Sequence, residues 1–297
     1  MTKLLHIGLG KCGSTFLQKE IFPKLEKKVN TTYIGNLYDF FNIDTTKIKH
    51  SFFENFKNIE NLLPNEFIIS NESLFSKNCE FSRIEKNFEH IRNNFSNDTV
   101  ILIIIRNPYD YLNSMYCQQI HSMRVVNPDK FFYVDDKEMN IEVNDRLNLH
   151  NFNYSKLISL YKSYFKKVVV VKYENLQNLD FLKNIFNLDD EYLQNLKKNT
   201  SKIHNKSISK FGINFILFLN NFFDVNKSQQ FIKKFIKKNP DSTIVKIKNK
   251  ILGLFLLKNF FQSKFDRIVP YKKYYINRKS IPLDIEKEIS KYNKLDF

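Results

Sequence analysis

The chain has 297 residues, of which 42 % are apolar, and a formal net charge of +16. That length allows one large domain or two small ones with a sizeable core. The charge favours anionic partners, from phosphorylated cofactors to nucleic acid, glycans or a membrane surface; but Lys, Asn, Ile and Phe are abundant throughout, so charge alone does not single out nucleic acid.

Taken in chain order, LLHIG (Leu4 to Gly8) reads as a first strand. A helix follows from Ser14 to about Lys27, with Phe16, Leu17, Ile21 and Leu25 at helical spacing. TTYIG (Thr31 to Gly35), FIIS (Phe67 to Ser70), VILIII (Val100 to Ile105) and VVVV (Val168 to Val171) read as four further strands. Nearly continuous apolar strands suit a parallel sheet covered on both faces. Their alternation with helices predicts an α/β fold: a doubly wound, mainly parallel sheet flanked by helices. From Lys210 to about Gln262 the pattern is helical and basic, with Phe211, Phe215, Phe218 and Leu219 as apolar positions. No linker precedes it and no repeat is evident. The expectation is one domain over residues 1–297, with an α/β core at 1–209 and a helical C-terminal layer at 210–297.

Cys12, Cys79 and Cys117 have no paired spacing. They make neither a disulfide framework nor a zinc site, and fit a reducing, cytoplasmic setting. The first residues lack the apolar stretch of a signal peptide. ILGLFLL (Ile251 to Leu257) is too short to span a bilayer, so no transmembrane segment is expected. The basic stretch from Ile232 to Lys250 leaves open a peripheral contact with anionic lipid at the inner face of the membrane, beside the commoner reading as a solvated face.

In open α/β sheets ligands bind beyond the carboxyl ends of the strands, so the segment after each strand carries the function. After the first comes GLGKCGST, Gly8 to Thr15. Gly8, Gly10 and Gly13 fit the dinucleotide fingerprint, but no Asp or Glu lies between Val29 and Tyr38 for the ribose hydroxyls. Gly8 and Gly13 also fit the spacing of a P-loop NTPase. The Lys-Ser/Thr pair that should come next is instead Ser14-Thr15, with the lysine earlier, at Lys11, and VILIII runs into Arg106 rather than a magnesium-binding Asp. A third reading takes the lysine where it stands. The loop amides cradle an anion at a helix start, Ser14 and Thr15 add hydroxyl donors, and Lys11 reaches the reacting end of the bound group. A plain strand–turn–helix is the bland alternative.

After the fourth strand comes IIIRNPYDYLNSMYCQQ (Ile103 to Gln119). Arg106 stands at the strand end, Pro108 suits the first turn of a helix, and Ser114 lies about two turns on. Arg and Ser so placed can converge on one phosphate. An isolated Arg106 would otherwise be a capping or ion-pairing residue, with Asp110 as its partner.

Together the two segments resemble those of PAPS-dependent sulfotransferases, whose donor is 3′-phosphoadenosine 5′-phosphosulfate. K-C-G-S-T resembles the K-x-G-[ST]-[ST] loop that binds the 5′-phosphosulfate, which implies a cofactor-binding role for Lys11, Cys12, Gly13, Ser14 and Thr15. Arg106, Pro108, Asp110 and Ser114 match the R-x-P-x-D-x-x-x-S motif for the 3′-phosphate, implying Arg106 and Ser114 as its ligands. KYENL (Lys172 to Leu176) resembles the family's Y-E-x-L segment, read as structural. HNKSIS (His204 to Ser209) resembles a late segment near the cofactor, with Lys202, Asn205 and Ser207 as candidates, although an ordinary polar loop would look the same. The resemblance covers roughly the first 210 residues.

The family's reaction moves a sulfuryl group to an acceptor. Lys11 would stabilise charge growing on the leaving phosphate, and a general base must take the acceptor's proton. Glu72 comes after the third strand in FIISNESLF and resembles the family's glutamate base; a helix N-terminal acid would also suit that place. His121, seven residues after Ser114 and on nearly the same helix face, is the rival, while His90 reads as solvated. No metal is implied. Met123 to Asn140, with Arg124, Lys130, Phe131, Phe132 and Tyr133, is a candidate acceptor loop; Phe131 and Phe132 either face a sugar or pin the loop to the core. The expected reaction is sulfation of a hydroxyl, on a carbohydrate or surface glycan. A P-loop kinase-like enzyme and a basic nucleic-acid-binding protein are the alternatives, and no nucleic-acid motif supports the latter.

Overall fold

A computed structural model describes residues 2–41, 58–71, 74, 81–121, 125–135, 146–200, 209–222 and 271–295. Its centre is a five-stranded parallel sheet. β1 (Lys3–Ile7), β2 (Thr32–Ile34), β3 (Phe67–Asn71) and β4 (Val100–Ile105) are joined, after two short strands described below, by β7 (Val168–Lys172). The order is β2-β3-β1-β4-β7, and every pairing is parallel. These are the five strands expected from the sequence. Ile101 to Ile105 are all 0 % exposed, so both faces of β4 are covered, the condition under which a strand is apolar at every position rather than at alternate ones.

Helical segments connect the strands. From Ser14 the chain runs as α1 (Ser14–Phe16), a π-helical turn (Leu17–Ile21) and α2 (Phe22–Val29). Leu17, Ile21, Phe22 and Leu25 are the buried stripe of this segment. Asn30, in the left-handed conformation, ends it. α3 (Leu37–Phe40) follows β2, and α4 (Ile84–Asn94) precedes β4, burying Ile84, Phe88 and Ile91. His90 on α4 is half-buried with its Nε2 shielded, and among the described residues that atom has no partner; the solvated reading of the sequence does not hold.

α5 (Pro108–His121) begins with Pro108 at its first position. The Asn107 side chain caps it, accepting from the amides of Tyr109 at 3.1 Å and Asp110 at 3.3 Å. Past α5, Asn127 caps the short α6 (Pro128–Phe131), and β5 (Phe132–Tyr133) pairs in parallel with β6 (Leu147–Asn148). The described part of the candidate acceptor loop is therefore ordered backbone. Phe131 and Phe132 are buried in the core, Phe131 edge-on to Tyr116, and they pin the loop rather than face outward. α7 (Tyr154–Lys162) precedes β7. After it come a 3-10 turn (Tyr173–Asn178), α8 (Asp180–Phe186) and α9 (Asp190–Lys198).

The C-terminal part is only partly the helical layer expected. α10 (Lys210–Phe222) and α11 (Ile285–Asn293) are helices. Residues 271–277 instead form an extended strap, followed by a 3-10 turn (Arg278–Ser280). The strap's backbone partners lie outside itself: Lys273 bridges Ser209 in antiparallel fashion, and Lys210 N donates to Lys272 O at 2.7 Å. On α5 the buried Asn113 side chain acts like a peptide group, donating to Tyr274 O at 2.8 Å and accepting from Ile276 N at 3.0 Å. Those bonds satisfy an extended chain where a helix would satisfy its own. Ile276, Ile281, Ile285 and Tyr292 join the same core as the sheet. Among the described residues no helix is long and apolar enough to cross a membrane.

One buried polar group ties the sheet to the first helical segment. His6 Nδ1 on β1 is hydrogen-bonded to Ser70 Oγ on β3 at 2.7 Å, and Gln18 donates from its Nε2 to Ser70 O and Oγ at 3.1 and 3.2 Å. Burial lowers the His6 pKa to about 3. A histidine held neutral in the folded state is protonated near pH 6.5 when unfolded, so stability is complete above that pH and is lost as pH falls from about 6.5 towards 3. Unfolding by urea should show a loss of about 1 kcal/mol attributable to His6 between pH 7 and 5.5, and His6→Gln should remove that part of the pH slope whatever its effect on absolute stability. An unchanged slope would mean that His6 is solvated.

Candidate active site

The sheet order defines where a ligand can sit. β1 continues to β2 on one side of the sheet, while its neighbour β4 continues to β7 on the other. The chains therefore diverge beyond the carboxyl ends of β1 and β4 and open a crevice there. GLGKCGST comes after β1 and RNP after β4, so both motifs singled out in the sequence line the same crevice.

The loop after β1 is tightly folded. Leu9 N donates to Ile7 O at 3.1 Å and Cys12 N to Leu9 O at 3.3 Å. Lys11 has a φ of 64° and Gly13 a φ of 86°, both left-handed. At Gly13 this removes choice, because a Cβ there would lie 2.3 Å from Leu176 Cδ2 and 3.2 Å from Tyr173 Cε2. KYENL, read from the sequence as structural, thus packs directly against the loop. Gly13 caps α1, and no side chain satisfies the first amides of the helix. Ser14 is buried, and among the described residues its Oγ has no hydrogen-bond partner. A shielded hydroxyl is costly unless something accepts from it or donates to it.

Arg106 reaches across the crevice. Its Nη1 donates to Lys11 O at 3.1 Å, and its guanidinium lies 4.6 Å from the centre of the Tyr173 ring. Among the described residues Arg106 has no carboxylate partner. Asp110, its expected partner if the role were ionic, pairs with Lys273 instead. Glu174 of KYENL accepts from the Tyr292 hydroxyl and makes a long contact, 3.5 Å, with Asn107 N, linking the ends of β7 and β4 to α11.

Ser114 is half-buried on α5, two turns beyond Pro108. One turn further, Cys117 is buried, which pushes its thiol up to about 12 against the opposing pull of Lys273, Lys11 and Arg106. Ser114 and Cys117 stand on the helix that follows Arg106 in the chain. Tyr154 is buried and lies close to Cys12 and to the Arg106 backbone.

Lys11, Cys12, Gly13, Ser14, Thr15 and Arg106 are therefore gathered at one crevice, and Ser114 stands on α5, the helix that follows Arg106. His121 ends α5, seven residues beyond Ser114. Glu72, Lys202, Asn205 and Ser207 lie outside the described residues, as do Cys79 and Arg124. Sequence reasoning missed the roles of Asn107 as helix cap, of Tyr173 beneath Arg106 and of Lys273 beside Asp110. The Asn-Pro pair before a helix was a readable signal for the first; the other two are long-range and left none. No family model, curated protein or solved structure matches the chain.

Gly13→Ala should destabilise the protein by roughly 2–4 kcal/mol, from a left-handed non-glycine residue plus overpacking against Leu176. In a double-mutant cycle with Leu176→Ala the two losses should fall short of additivity by about 1 kcal/mol, measured by denaturant unfolding. Strict additivity would mean that the loop does not pack on Leu176.

Proposed function

We propose that the protein is a PAPS-dependent sulfotransferase that sulfates a hydroxyl. The observation that carries this reading is the meeting of Arg106 with the Lys11 carbonyl at the β1–β4 crevice, over a buried Ser14 hydroxyl that has no partner among the described residues. The loop's donor set, one lysine and two hydroxyls at a helix start with no carboxylate among them, fits an anionic donor such as the phosphosulfate group. Arg106 and Ser114 would hold a second phosphate beside it, Arg106 with a planar fork matched to phosphate oxygens.

When bound, PAPS supplies a sulfuryl group on an activated phosphate. Lys11 is assigned as the cation that stabilises negative charge on the phosphate oxygen that leaves. Ser14 and Thr15 orient that phosphate with their hydroxyls. Glu72, the residue next after β3, is assigned as the base that accepts the acceptor's proton, with His121 as the rival. The π-helical turn and the Gln18 bonds to Ser70 join the phosphate loop to the end of β3, keeping the two halves of such a site in register. The acceptor we assign is a carbohydrate hydroxyl or surface glycan, and the setting the cytoplasm or the inner face of its membrane. The acceptor rests on the glutamate base and the basic chain, the setting on three cysteines without paired spacing and the basic stretch from Ile232 to Lys250.

Calorimetry with adenosine 3′,5′-bisphosphate, the expected product, in EDTA should show metal-free binding at least tenfold tighter than for ATP, weakened at least tenfold by Arg106→Ala. No binding, or a preference for ATP that requires magnesium, would overturn the proposal in favour of a kinase-like enzyme.

A further inference from the structure

We infer that Gln18 is a positioning residue of the phosphate loop: bound to Ser70, it sets the rotation of the helix start that carries Ser14 and Thr15, and with it the hold on the donor's 5′-phosphate. The inference rests on the sulfotransferase reading.

The need for such a residue comes from the π-helical turn, Leu17–Ile21, between α1 and α2. A π-helix bonds i to i+5 where an α-helix bonds i to i+4, so side chains ahead of the turn fall out of step with those behind it. Phe22 and Leu25 on α2 are both 0 % exposed and seat that helix in the core. Across the turn, their seating does not dictate which way Ser14 and Thr15 face. Leu17 and Ile21 are buried within the turn and hold it against the core, but apolar burial has no direction of its own. Gln18 supplies the direction. Its Nε2 donates to Ser70 O at 3.1 Å and to Ser70 Oγ at 3.2 Å, two bonds from one nitrogen to one residue.

Ser70 is a firm anchor. It is fully buried on β3, opposite His6 of β1 in the sheet register, and its Oγ lies 2.7 Å from His6 Nδ1. β3 itself is held between β2 and β1. The hydroxyl of Ser14, four residues before Gln18, is shielded and has no partner among the described residues. A shielded donor can meet a ligand from few directions, and a hydrogen bond weakens steeply when misaligned, so a small rotation of the helix start would lose it. The groups assigned to the 3′-phosphate stand elsewhere. Arg106 follows β4, on the other side of β1 from β3, and Ser114 is on α5. The bond from Arg106 to the Lys11 carbonyl reaches the loop ahead of Gly13, not the helix start. Loss of the Gln18 bonds should therefore separate the two phosphates.

The test is calorimetry in EDTA with adenosine 3′,5′-bisphosphate, and with adenosine 5′-monophosphate and adenosine 3′-monophosphate by displacement of the bisphosphate. The proteins are the wild type, Gln18→Met, Ser70→Ala and, for comparison, Arg106→Ala. Gln18→Met keeps the length of the side chain and removes both bonds. It should weaken the 5′-monophosphate about tenfold and leave the 3′-monophosphate within about twofold. Ser70→Ala, which keeps the bond to the backbone carbonyl, should show the same selectivity at about threefold. Arg106→Ala should show the reverse preference. A lower unfolding midpoint in either variant is expected and does not enter the ratio of the two monophosphates. If Gln18→Met and Ser70→Ala bind both monophosphates as the wild type does, or weaken both equally, Gln18 is only a structural tie to β3 and the inference fails. A wild type that binds none of the three nucleotides overturns the sulfotransferase reading itself.

Discussion

The hydrogen bond from Arg106 to the carbonyl of Lys11 closes the crevice between β1 and β4. A guanidinium is never deprotonated at physiological pH, so the bond places a permanent charge against a loop whose own backbone is bent through two left-handed residues. Tyr173 lies beneath the charge, and the same ring sits within 3.4 Å of where a Gly13 side chain would be. One aromatic residue after β7 therefore bounds both the loop after β1 and the arginine after β4. Each of three adjacent strand ends depends on the other two, and displacement of any one would disturb the loop and the arginine together.

The strong burial of β4 makes this arrangement rigid. Five consecutive isoleucines and leucines without solvent exposure fix the strand end from which Arg106 projects. Asn107 starts the next helix at once, so Arg106 has a strand on one side and a capped helix on the other. Close packing resists small displacements, which is what a site that must hold a ligand within a fraction of an ångström requires.

The fold was legible because its signals are local. A buried parallel strand is a continuous apolar run, and each of the five runs became a strand of the sheet; Gly13 and Pro108 mark backbone positions through their own restricted or permissive chemistry. The candidate site was legible in part for the same reason, since each motif is contiguous and the strand order alone brings the two together. Contacts between distant segments were not legible. Nothing local to YKKYYIN says that Asn113 will satisfy its backbone, so its neighbourhood was read as helix. Nothing local to Asp110 says that its cation stands 163 residues away at Lys273. Phe131 and Phe132 show the converse: two aromatics in an unpatterned segment fit a sugar or a core equally well, and only packing against Tyr116 decides.

The C-terminal part is tied to the crevice rather than added beside it. Residues beyond 209 matched neither motif and read as an extra layer, yet the strap and α11 return to the helix and turn that follow β4. Tyr292 bonds Glu174, which contacts Asn107 beside Arg106, and Asn113 holds the strap against α5. Both tethers converge on α5 and the turn that precedes it. The strap and α11 therefore share one core with the sheet, and through Glu174 the described residues 271–295 reach the residue next to Arg106. A truncation before residue 271 would remove the partner of Asp110 and the hydroxyl that holds Glu174, and so would act on the surroundings of Arg106 without touching either sequence motif.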